Sequence, residues 1–281
     1  MITTRLIAEL RARLTGRRAA GERIALVPTM GALHDGHLQL CEVARRNGDI
    51  VVMSIFVNPL QFGPGEDLEK YPRGLEHDAR LAADCGVAVL FAPATDEILP
   101  DGSSFVRVHA PGLDSVLCGR FRPGHFEGVL TVVAKLFNIV RPDVAVFGQK
   151  DLQQATLIRR MVRDLNYDIE LIVAPTVREP DGLALSSRNA YLTPEERTSG
   201  LALNRALQAA QRAFADGERD PAALVAVADA ILRQEPGVSP QYVEVVDPDT
   251  LRTPGAAARG HAVAIAAHVG ATRLIDNVIL S

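Results

Sequence analysis

The sequence has few cysteines, no long apolar run and no excess of positive charge. Its 281 residues include three cysteines, Cys41, Cys85 and Cys118, which are widely spaced and odd in number. Such a set matches neither a disulfide framework nor a zinc-binding pattern, and it fits a reducing compartment. No apolar run reaches the roughly 20 residues that cross a bilayer, and no signal peptide is recognisable. We therefore expect a soluble, cytoplasmic protein that does not act at a membrane.

Several familiar ligand-binding and nucleophile motifs are also missing. The formal net charge of −4 gives no electrostatic footprint for nucleic acid. The chain contains no Walker loop, no Gly-x-Gly-x-x-Gly fingerprint and no Gly-x-Ser-x-Gly elbow. The second absence disfavours a dehydrogenase, and the third removes the usual setting of a nucleophilic serine. The polar residues that remain indicate phosphate handling without a covalent nucleophile.

What the sequence does contain is an alternation of apolar runs and helical patterns. Ile24–Val27 and Ile50–Val57 are continuous apolar runs of strand length, as expected for strands that are buried on both faces of a parallel sheet. Further strands are predicted at 87–91, 105–108, 144–147 and 169–173, and helices at 5–19, 75–85, 128–140 and 152–165. This rhythm predicts an α/β fold, a Rossmann-like doubly wound parallel sheet.

The rhythm changes near residue 180, where turn residues cluster in Glu179-Pro-Asp-Gly182. Beyond it, Thr193-Pro-Glu-Glu196 is a helix start signal. Helices are predicted at about 195–215 and 221–234, and strands of a small mixed sheet at 241–246, 261–267 and 274–280. We predict two domains, a Rossmann-like domain over 1–178 and a smaller α+β domain over 179–281.

The strongest local pattern is Val27-Pro-Thr-Met-Gly-Ala-Leu-His-Asp-Gly-His37. It predicts a strand, a tight loop and a helix, with His34 and His37 where the loop becomes the helix. A helix N-terminus offers unpaired N–H groups and the positive end of the helix dipole, which together suit a phosphate. Gly36 lets a ligand approach the backbone closely. A metal pair is disfavoured because no third ligand lies at a suitable spacing.

Other polar loops follow further predicted strands. In open α/β sheets, ligands bind beyond the carboxyl ends of the strands. Asn58–Phe62 follows the second strand, Gly148–Asp151 follows the 144–147 strand, and Leu185–Arg188 lies beyond the last one. Each has a plain structural explanation as well, since Lys150-Asp151 suits a solvated turn and Ser186-Ser187 suits helix caps. The Arg120–Glu127 loop fits a charged surface loop as well as it fits a site.

Six blocks in this order resemble the pantothenate synthetase family. They are Pro28-Thr-Met-Gly-Ala-Leu-His-Asp-Gly-His37, Phe56-Val-Asn-Pro-Leu-Gln-Phe62, Tyr71-Pro-Arg73, Arg122-Pro-Gly-His-Phe-Glu-Gly128, Gly148-Gln-Lys-Asp-Leu-Gln-Gln154 and Leu185-Ser-Ser-Arg-Asn-Ala-Tyr191. The His-x-Gly-His motif alone would indicate only the wider nucleotidylyltransferase superfamily. The resemblance extends through the whole chain, and the later blocks make it specific.

The resemblance implies a ligase that condenses (R)-pantoate with β-alanine to pantothenate. The reaction would consume ATP, pass through a pantoyl-adenylate, and release AMP and pyrophosphate. Catalytic roles would fall to His34, His37, Lys150, Ser186, Ser187 and Arg188. ATP would also contact Pro28, Thr29, Met30, Gly31, Ala32, Leu33, Asp35, Gly36, Gly148, Gln149, Asp151, Leu185 and, through its backbone, Val177.

The same resemblance implies the remaining ligands. Pantoate would bind Gln61, Gln154, Met30 and Asn58, and β-alanine would also neighbour Gln61. Mg²⁺ would travel with ATP, with Asp78 and Glu76 as candidate ligands. Residues 179–281 would act as a lid, and the protein would be a homodimer. This chain has Gln149 and Leu185 where the family commonly has Glu and Met, which leaves the phosphate-binding groups in place.

Two other functions fit part of the pattern. A nucleotidylyltransferase would leave the adenylyl group on its product and would need no amine. A non-catalytic nucleotide-binding or sensor protein would bind ATP without turnover. The polar blocks around Gln61 and Gln154 disfavour both, because neither function needs a second polar pocket of that kind.

Overall fold

The computed structural model describes residues 1–281, and six strands of the chain form one parallel sheet. These strands are β1 (Ile2–Thr4), β2 (Ile24–Thr29), β3 (Ile50–Ile55), β4 (Val89–Phe91), β5 (Val144–Gly148) and β6 (Glu170–Ala174). Their order is β1-β4-β3-β2-β5-β6, and every neighbouring pair runs parallel. The predicted α/β fold with a Rossmann-like parallel sheet is confirmed.

Seven helices accompany these strands along the chain. They are α1 (Ile7–Ala19), α2 (Asp35–Asn47), α3 (Leu75–Asp84), α4 (Thr95–Ile98), α5 (Leu117–Phe121), α6 (His125–Val140) and α7 (Leu152–Asp164). The residues Ile24–Val27 of β2 are all fully buried, which explains their uninterrupted apolar character. Cys41 and Ala44 of α2 belong to the same buried cluster as alternate residues of β2 and β3. No helix of the structure has the length and apolarity that a membrane span requires.

A second, smaller sheet lies in the C-terminal part of the chain. Its elements are α8 (Pro194–Ala215), α9 (Pro221–Gln234), β7 (Val238–Val246), β8 (Ala262–Val269) and β9 (Thr272–Ile279). Thr193 caps α8, because its side chain accepts the Glu196 N–H at 3.2 Å while the Glu196 carboxylate accepts the Thr193 N–H at 2.9 Å. This capping box is the start signal that the sequence carries.

The chain divides into two units. The first comprises Met1–Ser115, Gly119–Gly148 and Leu157–Ala174, and the second comprises Val116–Cys118, Gln149–Thr156 and Pro175–Ser281. Each unit has its own buried apolar cluster. The domain boundary drawn at residues 178 and 179 stays a prediction.

The main differences from the sequence-based expectation concern the strands. The short strand β1 was not predicted, and the small sheet is antiparallel throughout rather than mixed. The strand predicted at 105–108 is wrong, because Phe105 is 93% exposed and local turn bonds use this backbone. Ser104 Oγ donates to the Val106 carbonyl at 2.8 Å, and Arg107 Nε donates to the Ser104 carbonyl at 2.7 Å.

Candidate active site

The strand, loop and helix predicted around His34 are present. β2 ends at Thr29, and α2 begins at Asp35 with His34 as its N-cap. Thr29 Oγ1 accepts the Gly31 N–H at 3.2 Å, which starts the turn. Gly31 and Ala32 then have φ values of 85° and 51°, in the left-handed region. Two successive residues in this region are costly for ordinary side chains, so the loop needs support from outside.

Asp78 of α3 supplies that support. Its Oδ2 accepts the Ala32 N–H at 2.9 Å and its Oδ1 accepts the Leu33 N–H at 2.8 Å, while only 2% of the residue is exposed. A Cβ on Gly31 would lie 2.9 Å from Asp78 Oδ2, so the close approach also requires glycine. With both oxygens engaged, buried Asp78 does not fit a magnesium ligand, and Glu76 is exposed on the same helix.

The two histidine rings cap the first turn of α2. Nδ1 of His34 accepts the Gly36 N–H at 3.2 Å, and Nδ1 of His37 accepts the His34 N–H at 3.3 Å. The ring centroids are 4.1 Å apart. Because Nδ1 is the acceptor in both rings, the hydrogen of each neutral ring lies on Nε2. Nε2 is therefore the donor that each ring can offer to an anion at this helix N-terminus.

A second polar group surrounds the turn Pro59–Gln61, which follows β3. Asn58 is buried, and its Nδ2 donates to Gln61 Oε1 and to the Gly128 carbonyl, both at 3.0 Å. Gln61 Nε2 lies 3.1 Å from the Met30 sulfur. The structure thus brings together Met30, Asn58 and Gln61, three of the four residues predicted to bind pantoate.

Gly128 lets helix α6 come close to this turn. A Cβ at Gly128 would lie 2.2 Å from the Leu60 carbonyl oxygen and 2.7 Å from the Gln61 nitrogen. Real Cβ atoms do not approach backbone atoms so closely. Any larger residue would push the helix and the turn apart, so the position of Gln61 depends on glycine here.

The Arg120–Glu127 loop contributes to the same turn through Arg122 and His125. Both donate to the Gln61 carbonyl, Arg122 at 3.3 Å and His125 Nδ1 at 2.8 Å. Arg122 also binds the Glu66 carboxylate, with distances of 2.8 Å and 2.5 Å. Burial opposes ionisation of Glu66, but the hydrogen bond and charge of Arg122 outweigh it and lower the pKa of that carboxyl. These contacts fix the main chain at Gln61.

In the second unit, the turn Gln149–Asp151 carries Lys150. Asn277 of β9 donates to the carbonyls of Gln149 and Lys150 at 2.9 Å and 3.0 Å. The Gln149 amide donates in return to Asn277 Oδ1 at 3.2 Å. The half-buried Lys150 forms no ion pair, so its charge is not neutralised by a carboxylate of the chain.

Residues Val177–Leu185 of the same unit form a narrow hairpin. The Leu185 N–H donates to the Val177 carbonyl at 3.0 Å, and an antiparallel bridge joins Arg178 to Ala184. Ser186 then caps the turn Ser187–Tyr191. The predicted catalytic residues Ser186, Ser187 and Arg188 therefore lie at the start of a short helical turn.

Ion pairs from α8 hold the tip of this hairpin. Arg197 binds Glu179 at 2.7 Å and Asp181 at 2.6 Å. The hydrogen bond from Arg197 is the main cause that lowers the pKa of Glu179. For Asp181, burial acts in the opposite direction, but the Leu183 N–H and Arg197 lower the pKa of the carboxyl overall. The loop is thus fixed by charge pairs that need ionised carboxylates.

Comparison with known proteins settles the family. A family model described as pantoate-beta-alanine ligase matches residues 2–279. The chain belongs to the pantoate–β-alanine ligase family. It is 56% identical over 277 residues to pantothenate synthetase 1 of Bradyrhizobium diazoefficiens, which covers 98% of this chain and 96% of that protein.

Two solved structures of ligases from this family resemble the chain. The pantothenate synthetase of Thermus thermophilus has a TM-score of 0.94 and 47% identity, with 100% of this chain and 99% of that chain covered. The pantoate-beta-alanine ligase of Francisella tularensis, complexed with beta-gamma ATP and beta-alanine, has a TM-score of 0.80 and 34% identity. The coverage there is 99% of this chain and 97% of that chain.

The ligase residues predicted from sequence fall into both units. Met30, the histidine loop, Asn58 and Gln61 lie in the first, and the second holds these groups: Gln149–Asp151, Gln154, Val177 and Leu185–Arg188. Gln154 is half-buried in the first turn of α7. Sequence reasoning missed the residues that support these groups, which are Gly128, Glu66, Arg197, Asp276 and Asn277. It noted Asp78 only as a metal candidate, because nothing in the local pattern shows which backbone groups a carboxylate meets.

Proposed function

We propose that this chain condenses (R)-pantoate with β-alanine to pantothenate, with conversion of ATP to AMP and pyrophosphate. The observation that carries the proposal is the match to the pantoate–β-alanine ligase family over residues 2–279. The Francisella tularensis relative was crystallised with an ATP species and β-alanine, which supports the same substrates for this chain.

In the first half-reaction, a pantoate carboxylate oxygen attacks the α-phosphorus of ATP and pyrophosphate leaves. Negative charge then grows on the phosphate oxygens, and fixed donors lower the barrier without a covalent enzyme intermediate. We assign this role to Nε2 of His34 and His37 at the start of α2. Lys150 and Ser186–Arg188 would bind the phosphates, and the unpaired charge of Lys150 supports its assignment.

Pantoate would be held by Gln61, Gln154, Met30 and Asn58. The carbonyl and side chain of Gln61 are both hydrogen-bonded in the structure, so the amide is already oriented for a ligand. The same residue would neighbour β-alanine. Val177 would contact adenine through its backbone.

In the second half-reaction, the β-alanine amine attacks the carbonyl carbon of pantoyl-adenylate. The bond to the AMP oxygen breaks, AMP leaves, and the amine loses a proton to form the amide. The anhydride must be shielded from water until the amine arrives. We assign that protection to closure of a lid formed by residues 179–281, the predicted C-terminal domain.

Mg²⁺ would enter with ATP, because it is commonly held by substrate phosphates together with one or two carboxylates. Both carboxylate oxygens of Asp78 already accept backbone N–H groups, and Glu76 is exposed on the same helix. We therefore assign no protein ligand to it. We also propose a cytoplasmic homodimer, supported by exposed Phe105 and Val106, which light scattering would test.

Exchange of label between pyrophosphate and ATP tests the function most directly. Purified protein with pantoate should support exchange, and added β-alanine should yield AMP and pantothenate in equal amounts. No exchange in the presence of pantoate would refute the proposed ligase. An adenylylated end product would indicate a nucleotidylyltransferase, and calorimetric ATP binding without turnover would indicate a nucleotide sensor.

A further inference from the structure

Strand β9 carries two adjacent polar residues that are almost completely buried. Asp276 is 4% exposed and Asn277 is 2% exposed. Both lie in the regular antiparallel register with β8, opposite Ile265 and Ala264. Burial of an amide and a carboxylate is unfavourable unless their polar atoms are paired, so their partners show what the two residues are for.

The side chain of Asn277 binds the turn that carries Lys150. Its Nδ2 donates to two successive carbonyls, those of Gln149 and Lys150, at 2.9 Å and 3.0 Å. Its Oδ1 accepts from Gln149 Nε2 at 3.2 Å. Two carbonyl partners can only face the NH₂ group, which fixes the orientation of the amide. The turn is thus held at the residue that bears the ammonium group.

The side chain of Asp276 binds the segment that leads to Ser186–Arg188. Arg178 donates to it through two parallel hydrogen bonds of 2.6 Å and 2.9 Å. Arg178 also donates to the Gly182 carbonyl at 3.2 Å, within the hairpin. The Asn277 N–H donates to Asp276 Oδ1 at 2.8 Å, which couples the two buried residues. The bidentate pair neutralises the carboxylate, so it does not oppose phosphate binding.

We propose that Asn277 is a positioning residue for Lys150, and that Asp276 does the same for the hairpin before Ser186–Arg188. One strand would then set the register of two phosphate-binding segments. This inference rests on the proposed function, because it takes the roles of Lys150 and Ser186–Arg188 from it. The backbone ladder of β9 with β8 does not require either side chain, so their burial serves the two segments.

The test replaces Asn277 with Ala and, separately, with Asp, which keeps the shape but removes the NH₂ donor. We expect kcat/KM for ATP to fall about 10- to 100-fold in both, as for a misplacement of a ligand-binding group. The KM for β-alanine should change less than twofold. Thr272→Val, at the other end of the same strand, is the matched control. Its kcat/KM for ATP and its KM for β-alanine should stay within twofold of wild type.

Two readouts separate positioning from general damage. In the Lys150→Ala background, Asn277→Ala should lower ATP–pyrophosphate exchange by less than a further threefold. The reason is that Asn277 is proposed to act by positioning Lys150, which this background lacks. For Asn277→Asp, activity relative to wild type should rise as the pH falls toward 5, because a protonated carboxyl regains a donor. Melting temperatures establish that each variant is folded.

The outcomes distinguish the two proposals. If wild type makes no pantothenate, the proposed function fails before any variant is compared. If wild type is active and folded Asn277→Ala stays within twofold of it, the positioning role is refuted while the function stands. Equal losses in the wild-type and Lys150→Ala backgrounds, with no rise of Asn277→Asp at low pH, would also refute it.

Discussion

The His34–His37 loop and the Gln149–Asp151 turn differ in what holds them in place. The histidine loop partly holds itself, because both rings cap the first turn of α2, and Asp78 of α3 completes it. The Lys150 turn is held instead by a strand that lies 127 residues further along the sequence. A loop that is capped by its own side chains, such as the histidine loop, can be recognised in a local sequence pattern. The contact between β9 and the Lys150 turn joins distant parts of the sequence and exists only in the folded chain.

The largest expected effect comes from the self-capped loop. His37→Ala removes one of the proposed donors to the phosphates and should lower exchange about 10²- to 10³-fold, by analogy with the loss of an oxyanion-hole donor. The loss of its cap contact should cost only about 1 kcal/mol of unfolding free energy. Exchange assays and thermal melts measure the two effects. His77→Ala, at an exposed position of α3, is the control and should leave exchange unchanged. Near-normal exchange in His37→Ala would contradict the role assigned to His37.

Replacement of Asp78, which holds the His34–His37 loop from helix α3, should have the next largest effect. Asp78→Ala leaves the buried N–H of Leu33 and the half-buried N–H of Ala32 without an acceptor, at about 1–3 kcal/mol for the buried group. We expect exchange to fall about 10- to 100-fold, because the histidines lose their alignment. Asp78→Asn keeps one acceptor and should lie between this variant and wild type. Equal activity of all three proteins would show that the histidine loop needs no outside support.

A smaller effect is expected where the first unit depends on close packing. Gly128→Ala should destabilise the protein by about 1–3 kcal/mol and raise the KM for pantoate, since it pushes α6 from the Gln61 turn. Chemical denaturation and pantoate kinetics measure the change. Gly16→Ala in α1 meets no atom within 4 Å, so it should be neutral or slightly stabilising. The same result for both glycines would refute the packing argument.

The smallest effect should be the pH dependence of the two carboxylate–arginine supports. The pKa values of Glu66 and Glu179 are lowered in the folded protein. Each carboxylate therefore contributes stability above its ordinary pKa of 4.5, and this contribution disappears as the pH falls through the lowered value.

Denaturation of wild type, Glu66→Gln and Glu179→Gln between pH 3 and 7 measures these contributions. Each variant should be less stable than wild type at neutral pH and should approach it at the acidic end. Glu66 should show the larger difference, because the Arg122 side chain is 15% exposed and the Arg197 side chain is 33% exposed. A constant difference across the range would exclude ionisation as its source.

The sequence predicts the parallel sheet because strands that are buried on both faces must be continuously apolar, as Ile24–Val27 is. It also predicts the histidine loop, because the turn and helix signals of that loop are local. The prediction of a strand at 105–108 is wrong, because apolar residues alone do not show whether a neighbouring strand is present to pair with them. The role of Asn277 could not be predicted from the sequence, because the carbonyl groups that its side chain binds come near it only in the folded protein.

The 127-residue separation of Lys150 from Asn277 has a consequence during protein synthesis. Ribosomes add about 5–20 residues each second, so Asn277 is made roughly 6–25 s after Lys150. The His34–His37 loop can form its own cap during that interval, whereas the Lys150 turn waits for its last contact. In a nascent chain, the groups proposed to bind the nucleotide would then be completed in two stages, the histidines first and the lysine last.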